Sequence, residues 1–203
     1  MLPNRFICLL IFTLLWSGLS QAQTNFPDVY LEKDWAPKMD SLRAALGDNI
    51  SYKNKKGMEL ATLLAIAHYP ELQDRKVKII IKDMKGAPVE ASFGVFNFIK
   101  PRRSKVYKIL IQENSFMERL TLNKQVAALG HEMAHFIQYE QRKYFGTLFT
   151  LLQYVISDKY RLRFEKKADE LAVNHFLGPH MIDFAFYSSD EQIREYMKAM
   201  DND

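Results

Sequence analysis

The chain contains the stretch His131-Glu132-Met133-Ala134-His135, and the spacing of its two histidines indicates a metal ion. Four residues along an α-helix turn through about 400°, so the two imidazoles point the same way, one turn and about 6 Å apart. Both can therefore reach one ion. Glu132 lies about 100° around the helix from His131, close enough to approach a metal-bound water without occupying a ligand direction. The motif predicts a metal centre with a carboxylate base beside it.

The sequence around this motif predicts a helix over residues 122–142. Apolar side chains recur at steps of three and four, with no proline and one glycine. Either Thr121 or Asn123 can cap the start of the helix. Small residues on its flanks leave room for another element to approach the histidines: Ala127, Ala128 and Ala134. The motif therefore lies in the middle of a packed helix.

A zinc ion that holds three side chains and one water needs a third protein ligand. Residues 160–177 again have a helical pattern and contain Glu165 and Asp169, which are four residues apart and lie on one helix face. Glu165 can bind the metal, while Asp169 can accept the free ring N–H of a ligating histidine and fix its tautomer. We therefore expect two helices to meet at one metal site.

Two motifs together carry a resemblance to a known group of enzymes. His131-Glu132-x-x-His135, followed by Glu165-x-x-Ala168-Asp169-x-x-Ala172, resembles the gluzincin metallopeptidases. The second motif is most similar to the branch that contains the heat-shock membrane peptidases, the prenyl-protein endopeptidases and their small soluble relatives. The resemblance implies one Zn²⁺ per chain, bound by His131, His135 and Glu165. It also implies that Glu132 is the general base and that Asp169 supports the ligands from behind.

The first 22 residues predict a secretory signal peptide. Arg5 precedes an apolar run over residues 6–16, and the small residues Ser20 and Ala22 are typical of cleavage after Ala22. An uncleaved membrane anchor is the alternative, and it is disfavoured because the run is short for a membrane span. The sequence thus predicts a chain that is exported to the periplasm or the outside of the cell.

Composition excludes some classes of function for the remaining domain, residues 23–203. Cys8 is the only cysteine and leaves with the signal peptide, which excludes disulfides and a thiol nucleophile. The net charge of +4 is small and no basic patch carries interleaved aromatic residues, so we expect no nucleic-acid partner. The apolar stretch 145–156 is too short to span a bilayer, which favours a buried helix between the two metal helices over a membrane contact or a lid.

The rest of the chain predicts an α+β domain that is mostly helical. Further helices are expected at residues 37–46 and 58–68, and His68 at the end of the second is interpreted as structural. Strands are expected at 77–81, 91–99 and 106–112. A small antiparallel sheet of three strands should therefore precede the metal helix. With the resemblance, this amounts to a single zincin-like domain.

The resemblance also implies a strand for the substrate and a group that stabilises the oxyanion. In the resembled peptidases an edge strand just upstream of the metal helix pairs with extended substrate. We assign this role to residues 106–112, with a plain structural strand as the alternative; the substrate would contact Val106, Lys108 and Leu110. A downstream His or Tyr stabilises the developing oxyanion in those peptidases. The candidates here are, in order, His180, Tyr187 and His175.

The sequence as a whole predicts an exported, zinc-dependent metallopeptidase that acts on a peptide or protein substrate. One alternative is a catalytically inactive zinc-binding interaction protein, and another is an envelope-associated scaffold in contact with the membrane. A chance occurrence of the motif in a protein without metal is the third. A purely structural metal site has no need of a base, so Glu132 favours the peptidase.

Overall fold

The computed structural model describes residues 26–54, 57–92, 94, 97, 100–101, 104–141, 154, 156–184 and 186–200. The predicted signal peptide and most of the stretch 145–156 lie outside the described residues. The helices are α1 (Glu32–Trp35), α2 (Met39–Leu46), α3 (Glu59–Ala67), α4 (Leu122–Glu140), α5 (Asp158–Ala172), α6 (Gly178–Met181) and α7 (Asp190–Met200). The strands are β1 (Ile50–Lys53), β2 (Lys76–Lys82), β3 (Val89–Ser92) and β4 (Val106–Gln112).

The described strands form one mixed sheet in the order β1-β2-β4-β3. β1 pairs in parallel with β2, and β2 in parallel with β4, whereas β3 pairs antiparallel with β4. The expectation of a mixed domain with helices and a small sheet is confirmed, but the prediction of three antiparallel strands was wrong. Helix α3 connects β1 to β2, and this crossover allows the two strands to run parallel.

Strand β4 lies inside the sheet, between β2 and β3. Its side chains alternate between a buried face and a half-buried face, as the sequence predicted. Strand β2 pairs with β4 along its whole length, β3 pairs with residues 108–111 of β4, and the side chain of Asn97 bonds the backbone of Val106. These backbone groups are therefore not available to a substrate. The role given to Val106, Lys108 and Leu110 in pairing with substrate was therefore wrong. In the described part of the chain, β3 is the edge strand on that side, and it ends at Ser92 rather than continuing to residue 99.

Helix α4 is the centre of the core. It runs without interruption from Leu122 to Glu140, and Thr121 caps it by accepting the backbone N–H of Lys124 at 3.4 Å. Helices α3 and α5 pack on it. A Cβ added at Gly130 would lie 2.2 Å from a methyl carbon of Leu177, so this glycine permits a close approach between α4 and the chain that follows α5.

The helix predicted over residues 160–177 changes character before its end. Its α-helical part stops at Ala172, and a π-helical turn follows over Val173–Leu177. His175 and Phe176 leave helical geometry, and Phe176 has a φ of +63°. The chain is thereby redirected into α6 and α7, which pack against this turn. None of the helices in the described ranges has the length and apolar character that a membrane crossing needs.

Candidate metal centre

Helices α4 and α5 bring His131, His135 and Glu165 together in a buried set, which we call the metal group. Oε2 of Glu165 lies 3.2 Å from Nε2 of His131 and 3.0 Å from Nε2 of His135. One ligand atom from each of the three side chains lies within 4.8 Å of the others. The structure therefore unites the three ligands that the sequence motifs predicted, in an arrangement that could hold a metal ion.

The distances between these donors fit a tetrahedral metal ion. Bonds of about 2.0 to 2.2 Å to imidazole nitrogen and carboxylate oxygen place neighbouring tetrahedral donors about 3.3 to 3.6 Å apart. The two contacts of Glu165, at 3.2 and 3.0 Å, are slightly shorter than this range. Two imidazoles and one carboxylate are also a donor set of hydrolytic zinc sites, which keep a fourth position for water. The residues present therefore suit zinc in both chemistry and spacing.

The buried charges of the group favour a cation at its centre. Burial lowers the pKa of His131, but the contacts with Asp169 and Glu165 outweigh burial and raise this pKa to about 10. Burial raises the pKa of Glu165, but its contacts with His131 and His135 hold the pKa well below the usual range. The carboxylate of Glu165 therefore remains ionised inside the protein, where its negative charge needs a positive partner. A bound metal ion would satisfy that charge.

Each of the two histidines is contacted by a second side chain on the far side of its ring. Nδ1 of His131 lies 2.8 Å from Oδ1 of Asp169, a close contact whose alignment falls short of a regular hydrogen bond. The other oxygen of Asp169 accepts the backbone N–H of Ser188 at 2.6 Å. Nδ1 of His135 lies 3.4 Å from Oε1 of Gln138, whose amide donates to a backbone carbonyl of α5. These contacts leave Nε2 of each ring for the metal.

Glu132 lies beside the three ligands and faces the edge strand. Its Oε2 accepts the backbone N–H of Ala91 in β3 at 2.5 Å. Because β3 is antiparallel to β4, alternate residues direct their backbone groups away from the sheet, and the contact shows that Ala91 does so. The carboxylate is thus offset from the ligand direction, as the helix geometry predicted, and lies between the metal group and β3.

A cavity of about 770 Å³ opens next to the metal group. Strand β3 forms one wall, and His131, His135, Glu165 and Glu132 lie along another. Asp183, Phe184, Phe186 and Tyr187 contribute to the rest. Aromatic side chains dominate these walls, among them Tyr139, Tyr154, Phe164, Phe184, Phe186 and Tyr187. The cleft therefore combines apolar walls, a few convergent polar groups and an edge strand, which are features of a ligand-binding site.

Of the three residues predicted to stabilise an oxyanion, Tyr187 alone lines this cavity. Its ring stacks on that of His131, with the ring centres 6.0 Å apart. His180, the first candidate, lies in a different buried cluster, where it donates from Nδ1 to Asn123 and stacks on Tyr30. His175 stacks on Tyr69 and does not line the cavity.

Sequence analysis missed two residues that support the ligands. Gln138 follows His135 by one helical turn, and that spacing was a usable signal. Tyr154 donates its hydroxyl to Oε1 of Glu165 at 2.5 Å. It belongs to the apolar stretch 145–156, and nothing in its sequence position indicates the contact, because the contact depends on how that stretch meets α5.

Comparison with known proteins adds no assignment. No family model, no curated protein and no solved structure matches the chain. The function must therefore be argued from the chemistry of the site rather than from relatives.

Proposed function

We propose that this protein is a zinc-dependent metallopeptidase that hydrolyses peptide bonds in a peptide or protein substrate. The observation that carries the proposal is the convergence of His131, His135 and Glu165 next to Glu132, at the wall of an aromatic cleft. A zinc ion that only stabilises a fold is usually enclosed by four protein ligands. Here three ligands converge at the edge of a cavity, and a carboxylate lies beside them without joining them.

Each residue has a defined task in this proposal. The three ligands bind one Zn²⁺, while Asp169 and Gln138 hold the two imidazoles with Nε2 turned inward. Bound zinc supplies an activated water and polarises the scissile carbonyl. Glu132 accepts a proton from the attacking water and later donates it to the leaving amine.

In this proposal the strand that pairs with the substrate is β3 rather than β4. Strand β3 borders the cavity and, among the described strands, is the edge nearest the metal group. A peptide that pairs with this edge would lie along the cleft, beside Glu132. Export remains part of the proposal, and N-terminal sequencing of the protein isolated from its native host should then begin at Gln23.

Replacing Glu132 by Gln tests the proposal, because glutamine keeps the shape of the side chain but cannot act as a base. Elemental analysis should find about one zinc per chain in both wild type and variant. Cleavage of a fluorogenic peptide library should fall by about 10² to 10⁴-fold in the variant. Glu170→Gln is the matched control, since this half-exposed glutamate of α5 pairs with Lys167 away from the metal group and its loss should change the rate less than about twofold.

Three outcomes decide the matter. Loss of cleavage with zinc retained in Glu132→Gln supports the peptidase. Full activity in Glu132→Gln would show that the base has been assigned wrongly. A zinc-loaded wild type that cleaves no member of the library would favour the inactive zinc-binding interaction protein.

A further inference from the structure

The two carboxylate oxygens of Glu165 have different partners. Oε2 contacts Nε2 of both histidines, at 3.2 and 3.0 Å. Oε1 instead accepts the hydroxyl of Tyr154 at 2.5 Å. The carboxylate therefore presents one oxygen to the centre of the metal group and has the other engaged from the side.

We infer that Tyr154 is a positioning residue. It makes Glu165 a monodentate ligand and so keeps the fourth coordination position of the metal open. This inference rests on the metal-binding part of the proposed function and does not depend on hydrolysis. A carboxylate can bind a metal ion through one oxygen or through both. When Oε1 accepts a strong hydrogen bond, its lone pairs are directed to the hydroxyl rather than to the metal. Without that bond, Oε1 is free to turn inward and take the position that water needs.

The surroundings of Tyr154 suit a fixed donor. Its ring meets Phe164 of α5 edge to face, with ring centres 5.6 Å apart, and this contact limits the movement of the hydroxyl. A hydrogen bond from a hydroxyl to a carboxylate, such as the one from Tyr154 to Glu165, is among the stronger ones.

The test compares Tyr154→Phe with Tyr160→Phe. Both substitutions remove one hydroxyl and keep a ring next to Phe164, but Tyr154 supplies the hydroxyl that bonds Glu165. Competition with a chromogenic chelator should show that Tyr154→Phe binds Zn²⁺ about 10 to 100-fold more weakly than wild type, while Tyr160→Phe stays within about twofold. The visible spectrum with Co²⁺ alone supplies a second measurement, because four-coordinate Co²⁺ absorbs more strongly than five-coordinate Co²⁺. The band should weaken in Tyr154→Phe only.

A double variant separates this role from simple packing. In a Glu165→Gln background, adding Tyr154→Phe should produce no further loss of Zn²⁺ affinity, because the charged acceptor has already gone. The inference is overturned if Tyr154→Phe matches wild type in Zn²⁺ affinity or in the Co²⁺ spectrum, or if its effect persists in the Glu165→Gln background. A wild type that binds neither ion removes the metal site itself, and with it the proposed function.

Discussion

Two buried clusters of this protein each contain two histidines, and their surroundings differ. In the metal group, His131 and His135 both contact the carboxylate of Glu165. In the second cluster, His68 accepts the hydroxyl of Tyr30 at 2.9 Å, and His180 donates to the amide oxygen of Asn123 at 2.7 Å. We call this second set, Tyr30, His68, Asn123 and His180, the aromatic cluster.

The two clusters have opposite effects on the pKa of their histidines. In the metal group, contacts with Asp169 and Glu165 overcome burial and raise the pKa of His131 to about 10. In the aromatic cluster, burial dominates and lowers the pKa of His68 to about 3 and that of His180 to about 4. A buried histidine is therefore not by itself a metal ligand. Convergent ring nitrogens and an acidic oxygen are what favour a cation.

The largest effect is expected from a substitution that disrupts the metal group and leaves the aromatic cluster intact. Glu165→Ala removes the one carboxylate that contacts both histidines. Zinc affinity should fall by more than about a hundred-fold, which exceeds the usual cost of losing an outer partner. Chelator competition measures this, and His180→Gln serves as the control because His180 does not line the cavity. Equal affinity in Glu165→Ala and wild type would remove Glu165 from the ligand set.

Acid should destabilise the protein through the aromatic cluster. The pKa values of His68 and His180 lie below their ordinary value of 6.5, so between pH 6.5 and 4.5 the unfolded chain binds protons that the folded chain does not. The free energy of unfolding should therefore fall as the pH falls, by up to about 1.4 kcal/mol per pH unit for each histidine. Urea unfolding at several pH values, with a chelator present, measures the slope.

Variants identify the source of this slope. His68→Gln and His180→Gln should each reduce it, because each removes one group whose pKa is lowered by burial. Glu165 also has a lowered pKa, but its ordinary value is 4.5, so its contribution is lost mainly below this pH range. A slope that survives both cluster variants would assign the acid sensitivity to other groups.

The smallest effect tests whether the two clusters are independent. Tyr30→Phe removes the hydroxyl that His68 accepts and leaves a buried ring nitrogen without its donor. The free energy of unfolding should drop by about 1 to 3 kcal/mol. Zinc affinity should remain that of wild type, because Tyr30 contacts none of the three ligands. A parallel loss of zinc affinity would show that the clusters are coupled through α4.

Local patterns of the sequence predicted most of the metal group. The three-and-four periodicity gave α4 almost to its ends, and the four-residue spacing of Glu165 and Asp169 placed one carboxylate on the metal group and the other behind His131. Strand β4 was predicted with its observed bounds, because alternating β-branched residues carry a local signal. Helix periodicity predicts these residues because the two histidines lie on one helix and the two carboxylates lie on another.

The features that were not predicted from the sequence depend on contacts between distant segments. Strand β1 has four residues and pairs in parallel across a helix, so no turn marks its partner. The segment Gly86-Ala87-Pro88 after β2 is typical of a turn and favours a hairpin with the next strand, whereas the chain passes to the far side of β4. His180 was misplaced because the positive φ of Phe176 redirects the chain. A single sequence offers no rule for either change of direction.

The contact between Glu132 and Ala91 also bears on what can pair with the edge of the sheet. An open sheet border with unpaired amide hydrogens recruits strands from other molecules and so promotes aggregation. Here the border strand has only four residues, and the amide hydrogen of Ala91 is already taken by a carboxylate from its own chain. Any strand that pairs at Ala91, whether substrate or a second molecule, must first displace this carboxylate into the adjoining cavity. The side chain assigned to proton transfer thereby limits pairing at this border to strands that can displace it.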